Sequence, residues 1–192
     1  MPQTDTDLII KAQNGDALAF EELIYRYDKN VLSLVFKYVR DKDEAKDLYQ
    51  EIFIRVFRGL KNFQHKSEFS TWLYRIATNV CFTHKSREKR NQTVSIYGSD
   101  DDEGQENFYE SSIADNEKTP DKKLEDIEID MSIQKAIELL SPKQKMSFVL
   151  KHYEGYKIRE IAQIMDCKEG TIKKYLFDAV QKLKLELAAV YN

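Results

Sequence analysis

Arg75 and Asn79 stand one helical turn apart, and a guanidinium and a carboxamide at that spacing present a row of donors to phosphate oxygens or base edges. A second set of this kind lies near the other end of the chain, where Lys168, Gly170, Thr171, Lys173, Lys174 and Tyr175 fall close together, with Lys182 further on. Its chemistry is phosphate neutralisation, with polar groups near base edges. A third set, Asp47, Gln50, Glu51, Ile54 and Arg55, recurs at three- and four-residue intervals and rims one aliphatic side chain with charge, which suits a protein partner. An enzyme finds little support. The histidines His65, His84 and His152 are scattered, and there is no Gly-rich phosphate loop. Cys81 and Cys167 lie far apart in the sequence, so neither a disulfide framework nor a zinc site is indicated, and no metal or cofactor is expected.

The elements that position these groups read as helices throughout. Gly and Pro together number nine in 192 residues, and long 3.6-residue periods dominate, so the fold expected is all-α. On the helix containing Arg75, the residues Trp72, Leu73, Ile76, Ala77 and Val80 share one face. Thr71, Tyr74, Arg75 and Thr78 point the other way, with Asn79 at the boundary. That helix is expected to run on toward Arg90 through Lys85 and Arg87, a basic end able to follow a phosphate backbone. Before it, Ala17 to about Arg40 reads as one long amphipathic helix, and Ala45, Leu48, Ile52, Val56, Phe57 and Leu60 give a second. Gly59 to Ser70 is a break. Ile127 to Leu140 carries a further amphipathic period, with Ile129, Ile133, Ala136, Ile137 and Leu140 inward. Ser141-Pro142 is a helix start, and its stripe through Met146, Val149, Leu150 and Tyr153 ends at Gly155. Ile158, Ile161, Ala162 and Met165, a turn at Asp166-Cys-Lys, and a last helix with Ile172, Leu176, Val180 and Leu183 inward match a helix-turn-helix.

A net charge of −3 argues against nucleic acid until it is divided along the chain. Residues 1–97 hold 16 basic and 13 acidic side chains, residues 98–130 hold 3 and 13, and residues 131–192 hold 11 and 7. Two small helical domains, 1–97 and 131–192, are therefore expected on either side of a flexible acidic linker at 98–130. The linker's charge also suggests an internal competitor for the basic blocks. No apolar run approaches the roughly 18 residues of a membrane span, and the N-terminus lacks a signal-like pattern. A cytoplasmic protein without membrane insertion is expected.

With these pieces in order, the chain resembles the bacterial RNA polymerase sigma factors of the sigma-70 superfamily, extracytoplasmic-function type with two conserved domains. The resemblance rests on Asp47-Leu-Tyr-Gln-Glu51-Ile-Phe, on Phe69-Ser-Thr-Trp-Leu-Tyr-Arg-Ile-Ala-Thr-Asn79, and on Leu140-Ser-Pro-Lys-Gln with Ile158-Arg-Glu-Ile-Ala. It implies a promoter-specificity subunit that binds RNA polymerase core, recognises the minus-10 and minus-35 elements of promoter DNA, and helps open the duplex. It further implies that Asp47, Gln50, Glu51, Ile54 and Arg55 face the core enzyme. Thr71, Arg75, Asn79, Lys85 and Arg87 would serve the minus-10 element. The loop holding Asn62, Phe63, Lys66 and Ser67 would capture a flipped base, with Phe63 stacking on it.

Lys168, Gly170, Thr171, Lys173, Lys174, Tyr175 and Lys182 would serve the minus-35 element. The last helix departs from the family in placing Asp178 and Val180 where basic residues are common, which implies weaker or unusual minus-35 contact. By family habit an anti-sigma factor is an expected partner. The residues alone leave a second reading open, a one-component helix-turn-helix regulator that binds operator DNA without polymerase.

Overall fold

The computed structural model describes residues 3–39, 41–95, 133 and 135–190, and eight helices whose bounds lie within them follow from local signals, with a further helical turn at 135–138. Helix α1 (Asp5–Gln13) starts at Thr4, whose hydroxyl accepts from the Asp7 amide while the Asp7 carboxylate accepts from the Thr4 amide. This reciprocal cap satisfies two donors that the first turn leaves unpaired. Asp16 caps α2 (Ala17–Tyr25) and Asp41 caps α4 (Lys42–Leu60) in the simpler way. Ser141 and Gln144 form a second reciprocal cap on α6 (Pro142–His152), with Pro142 at its start.

The single long helix expected from Ala17 to Arg40 is two helices, α2 and α3 (Asp28–Tyr38). The chain breaks at Arg26 and Tyr27. Arg26 turns back to pair with Asp5 at 2.7 Å and Glu22 at 2.9 Å, and the Tyr27 hydroxyl bonds Asp5 while its ring meets Phe69 edge-on. The apolar period ran straight through this break because Ile24, Tyr27 and Val31 all pack toward the same core.

Helix α5 (Phe69–Ser95) is the axis of the molecule. It packs on α3 and α4 along one side and on α6 and α7 (Ile158–Ile164) along the other. One hydrophobic cluster therefore runs from Leu23, Leu34, Ile52 and Leu73 through to Met146, Leu150 and Ile161. Helix α7, the turn at Met165–Lys168 and α8 (Glu169–Val190) form the helix-turn-helix. Asp166 in the turn adopts φ +50°, and Ala162 is buried where the two helices cross.

Four side chains depart from the expected stripes. Phe57 is 64% exposed, resting only its edge on Phe20, and Tyr153 is partly exposed, with Lys37 over its ring. On α8 the inward residues are Ile172, Ala179 and Leu183, with Leu176 and Val180 half-buried. Ala136, Ile137 and Leu140 are buried as expected, whereas Ile129 and the acidic stretch at 98–130 lie outside the described residues.

Candidate nucleic-acid interface

The α5 face expected to be polar and outward is largely covered. Thr71 is buried, Tyr74 is 1% exposed and Thr78 is 0% exposed, because α6 and α7 close over them. Tyr74 donates to Glu154 Oε2 at 3.0 Å and meets the Tyr156 ring at 5.0 Å. Burial pushes the Glu154 carboxyl above the usual carboxylate range, while the Tyr74 hydroxyl and nearby Lys37 pull it back. Burial likewise holds the Tyr156 phenol protonated, up to about 12.

Arg75 and Asn79 remain at the surface. Arg75, however, already has an acceptor, since its Nε and Nη2 atoms donate to the Gln163 carbonyl at 3.1 and 2.6 Å, with Asp166 4.0 Å away. The guanidinium thus closes on the last turn of α7. Beyond it, Lys85 is exposed and paired with Glu88 at 2.7 Å, and Arg87 is exposed.

The loop from Lys61 to Glu68 is anchored at its start. The Gln13 side-chain amide donates to the carbonyls of Leu60 at 3.0 Å and Phe63 at 2.9 Å, and His65 turns the chain with φ +54°. Asn62, Lys66 and Ser67 are exposed. Phe63 differs from its expected role: it is 8% exposed, packed among His65, Phe69 and Trp72, and offers no free ring face here. Trp72 in turn lies on Gly59, where a Cβ would come within 3.1 Å of its ring.

The outer face of α4 carries Asp47 and Gln50 exposed, Glu51 and Arg55 half-exposed and paired at 2.7 Å, and Ile54 exposed between them. Exposed Phe57 extends this face. On α8, Lys168, Gly170, Lys173, Lys174 and Lys182 are exposed, while Thr171 and Tyr175 are half-buried. All the expected residues are thus sorted onto three helices and one loop.

The sequence reading missed Glu154, Tyr156 and Gln163, which bind α5 from the other half of the chain. Nothing local signals them, because each is more than 75 residues from its partner, as the separations of 80 and 88 show.

Family models for sigma-70 region 2 and sigma-70 region 4 match residues 23–91 and 130–183. The chain is 33% identical over 178 residues to the RNA polymerase sigma-H factor of Pseudomonas aeruginosa, covering 92% of this chain and 90% of that protein. It is 36% identical over 176 residues to the ECF RNA polymerase sigma-E factor of Escherichia coli K12, again covering 92% and 90%. The chain belongs to the extracytoplasmic-function sigma factors. The fold of this sigma factor is also that of the sigma factor RpoE bound to the anti-sigma factor NepR from Bartonella quintana, with a TM-score of 0.66 at 20% identity over 88% of this chain and 96% of that one. Among the described residues, no helix of the sigma factor is long and apolar enough to cross a membrane.

Proposed function

We propose that this sigma factor is a promoter-specificity subunit that joins RNA polymerase core and directs it to minus-10 and minus-35 elements. Two sigma-70 regions in the family's order on one chain, along almost the whole length of a 36%-identical relative, carry the reading. We assign core binding to Asp47, Gln50, Glu51, Ile54 and Arg55, whose mixed charge around an exposed isoleucine suits a protein partner. Minus-10 contact falls to Arg75, Asn79, Lys85, Arg87 and the loop side chains Asn62, Lys66 and Ser67. In the arrangement described, Phe63 and Thr71 must first emerge from packing, and Arg75 must leave Gln163. Minus-35 contact falls to the exposed lysines of α8, with Thr171 and Tyr175 closest to base edges.

The division into 1–97 and 131–192, joined by the acidic 98–130, is part of this proposal. So is an anti-sigma partner, suggested by the RpoE–NepR complex. The test is capture of core polymerase by the full chain and by Asp47→Ala/Gln50→Ala/Glu51→Ala. Capture by the first and loss with the second, at unchanged thermal stability, is expected. Tight binding of duplex operator DNA without any capture of core would support a one-component regulator instead. For the minus-35 surface, Lys173→Ala with Lys174→Ala should weaken binding and reduce the slope of log affinity against log salt by about two.

A further inference from the structure

Four polar atoms converge where α3, α4 and α5 meet, away from every surface assigned above except the basic end of α5. His84 Nδ1 lies 3.0 Å from Glu44 Oε1, and the ligand atoms of Glu44, His84 and Glu88 all fall within 4.8 Å of one another. Glu44 Oε1, His84 Nδ1 and the Tyr38 hydroxyl are each sealed from solvent and make no hydrogen bond among the described residues, and the sealed Glu88 Oε2 meets only Lys85, at 2.7 Å. Tyr38 as a whole is 4% exposed. The group borders a cavity of about 260 Å³, whose lining includes Tyr38, Glu44, Lys85, Glu88, Glu138 and Lys145.

A simple His84–Glu44 ion pair does not account for this arrangement. At 3.0 Å the two atoms are close enough to attract, yet they form no hydrogen bond, and the pair leaves the Tyr38 hydroxyl without a partner. Polar atoms sealed from solvent and left unpaired are costly, and the ligand atoms of Glu44, His84 and Glu88 surround one common centre. An ion at that centre satisfies them together. Around a tetrahedral zinc with bonds of about 2.0–2.2 Å, ligand atoms stand roughly 3.3 Å apart, so the His84–Glu44 separation already fits and Glu88 closes by a small side-chain rotation.

We propose that Glu44, His84 and Glu88 bind one divalent transition-metal ion of the zinc class, with the Tyr38 hydroxyl or a water completing the shell. One imidazole and two carboxylates favour such an ion over magnesium, which prefers all-oxygen octahedral shells and keeps its waters. Lys85, 2.7 Å from Glu88 Oε2, is the competing cation and swings aside on its exposed stem when the ion enters. The bound ion staples the first turns of α4, one turn before Asp47, to the distal half of α5.

The test uses the chelator-stripped full chain titrated with Zn²⁺ against a chromogenic chelator, alongside thermal unfolding with and without Zn²⁺. One ion per chain is expected, with no displacement by excess Mg²⁺ and a rise in melting temperature that grows with free Zn²⁺. His84→Gln and Glu88→Gln should each weaken binding by at least ~10–100-fold and abolish the thermal shift, whereas His152→Gln leaves both intact. Lys85→Met should tighten binding, which a purely structural role for the cluster would not do. Circular dichroism on each variant reports folding, and Glu44→Gln replaces any that fails. The proposal is overturned if the folded chain binds no Zn²⁺ above background, or if the bound ion is indifferent to both His84→Gln and Glu88→Gln.

Discussion

Replacing Tyr74 with phenylalanine removes one hydroxyl from the junction between the two halves and leaves the ring in place. The T-shaped contact with Tyr156 persists, so the change isolates the 3.0 Å bond to Glu154. A hydrogen bond to a charged acceptor contributes about 1.5–3 kcal/mol. Glu154 is only half-buried and water reaches it once the bond is gone, which places the effect near the lower bound, about 1.5 kcal/mol. That is roughly a tenfold shift toward separated halves. The assay is energy transfer between dyes on Glu21→Cys and Lys184→Cys, in a Cys167→Ser background so that only the introduced thiols react. Tyr74→Phe should raise the low-transfer population about tenfold, and Glu154→Gln, whose amide still accepts, should do so less. The sign with pH follows from the raised carboxyl. Burial penalises the ionised Glu154, so the junction holds its full margin below the usual carboxylate range and loses it as pH rises through the folded value, whereas the bond from Tyr74 favours the carboxylate and its removal matters most above that value. An unchanged low-transfer population in Tyr74→Phe across that range would refute the role given to this bond.

Thr78 is fully buried, and its hydroxyl has no hydrogen-bond partner among the described residues, so Thr78→Val should stabilise the fold by about 1 kcal/mol, read from denaturant midpoints. Ser141→Ala removes the reciprocal cap of α6 and should cost about 0.5–2 kcal/mol in the same measurement. Burial pushes the Cys81 thiol from its ordinary 9.0 up to about 12. Cys81 should therefore react with a thiol reagent at neutral pH only after unfolding, while partly exposed Cys167 reacts in the native state. The stability that neutral Cys81 supplies should be lost as pH climbs from 9.0 toward about 12.

What the sequence made legible was local. The Ser141-Pro142 start, the helix-turn-helix with its small Ala162 and the outward face from Asp47 to Arg55 each depend on residues a few positions apart, and each sits where its spacing implied. The outward face of α5 was misjudged for the opposite reason. Thr71, Tyr74 and Thr78 are polar enough to suit solvent, and only the distant Glu154 and Tyr156 turn that side into an interior. Phe63 was read as a free base-stacking ring because the aromatic pocket holding it is assembled from Phe69 and Trp72 on the next helix. His84 was read only as one of three scattered histidines, because Glu44, which comes close to it and Glu88, lies on another helix.

The double donation from Gln13 to the carbonyls of Leu60 and Phe63 bears on how this half can be excised and transplanted. The recognised region 2 begins at residue 23, yet the loop from Lys61 to Glu68 is tied down by a residue ten positions earlier. A fragment trimmed to the family boundary strands two carbonyls and also drops Asp5, the anchor of Arg26 and Tyr27. The transplantable unit begins at Thr4, and grafts between relatives that keep only the matched segment exchange α5 without the splint that sets the loop before it.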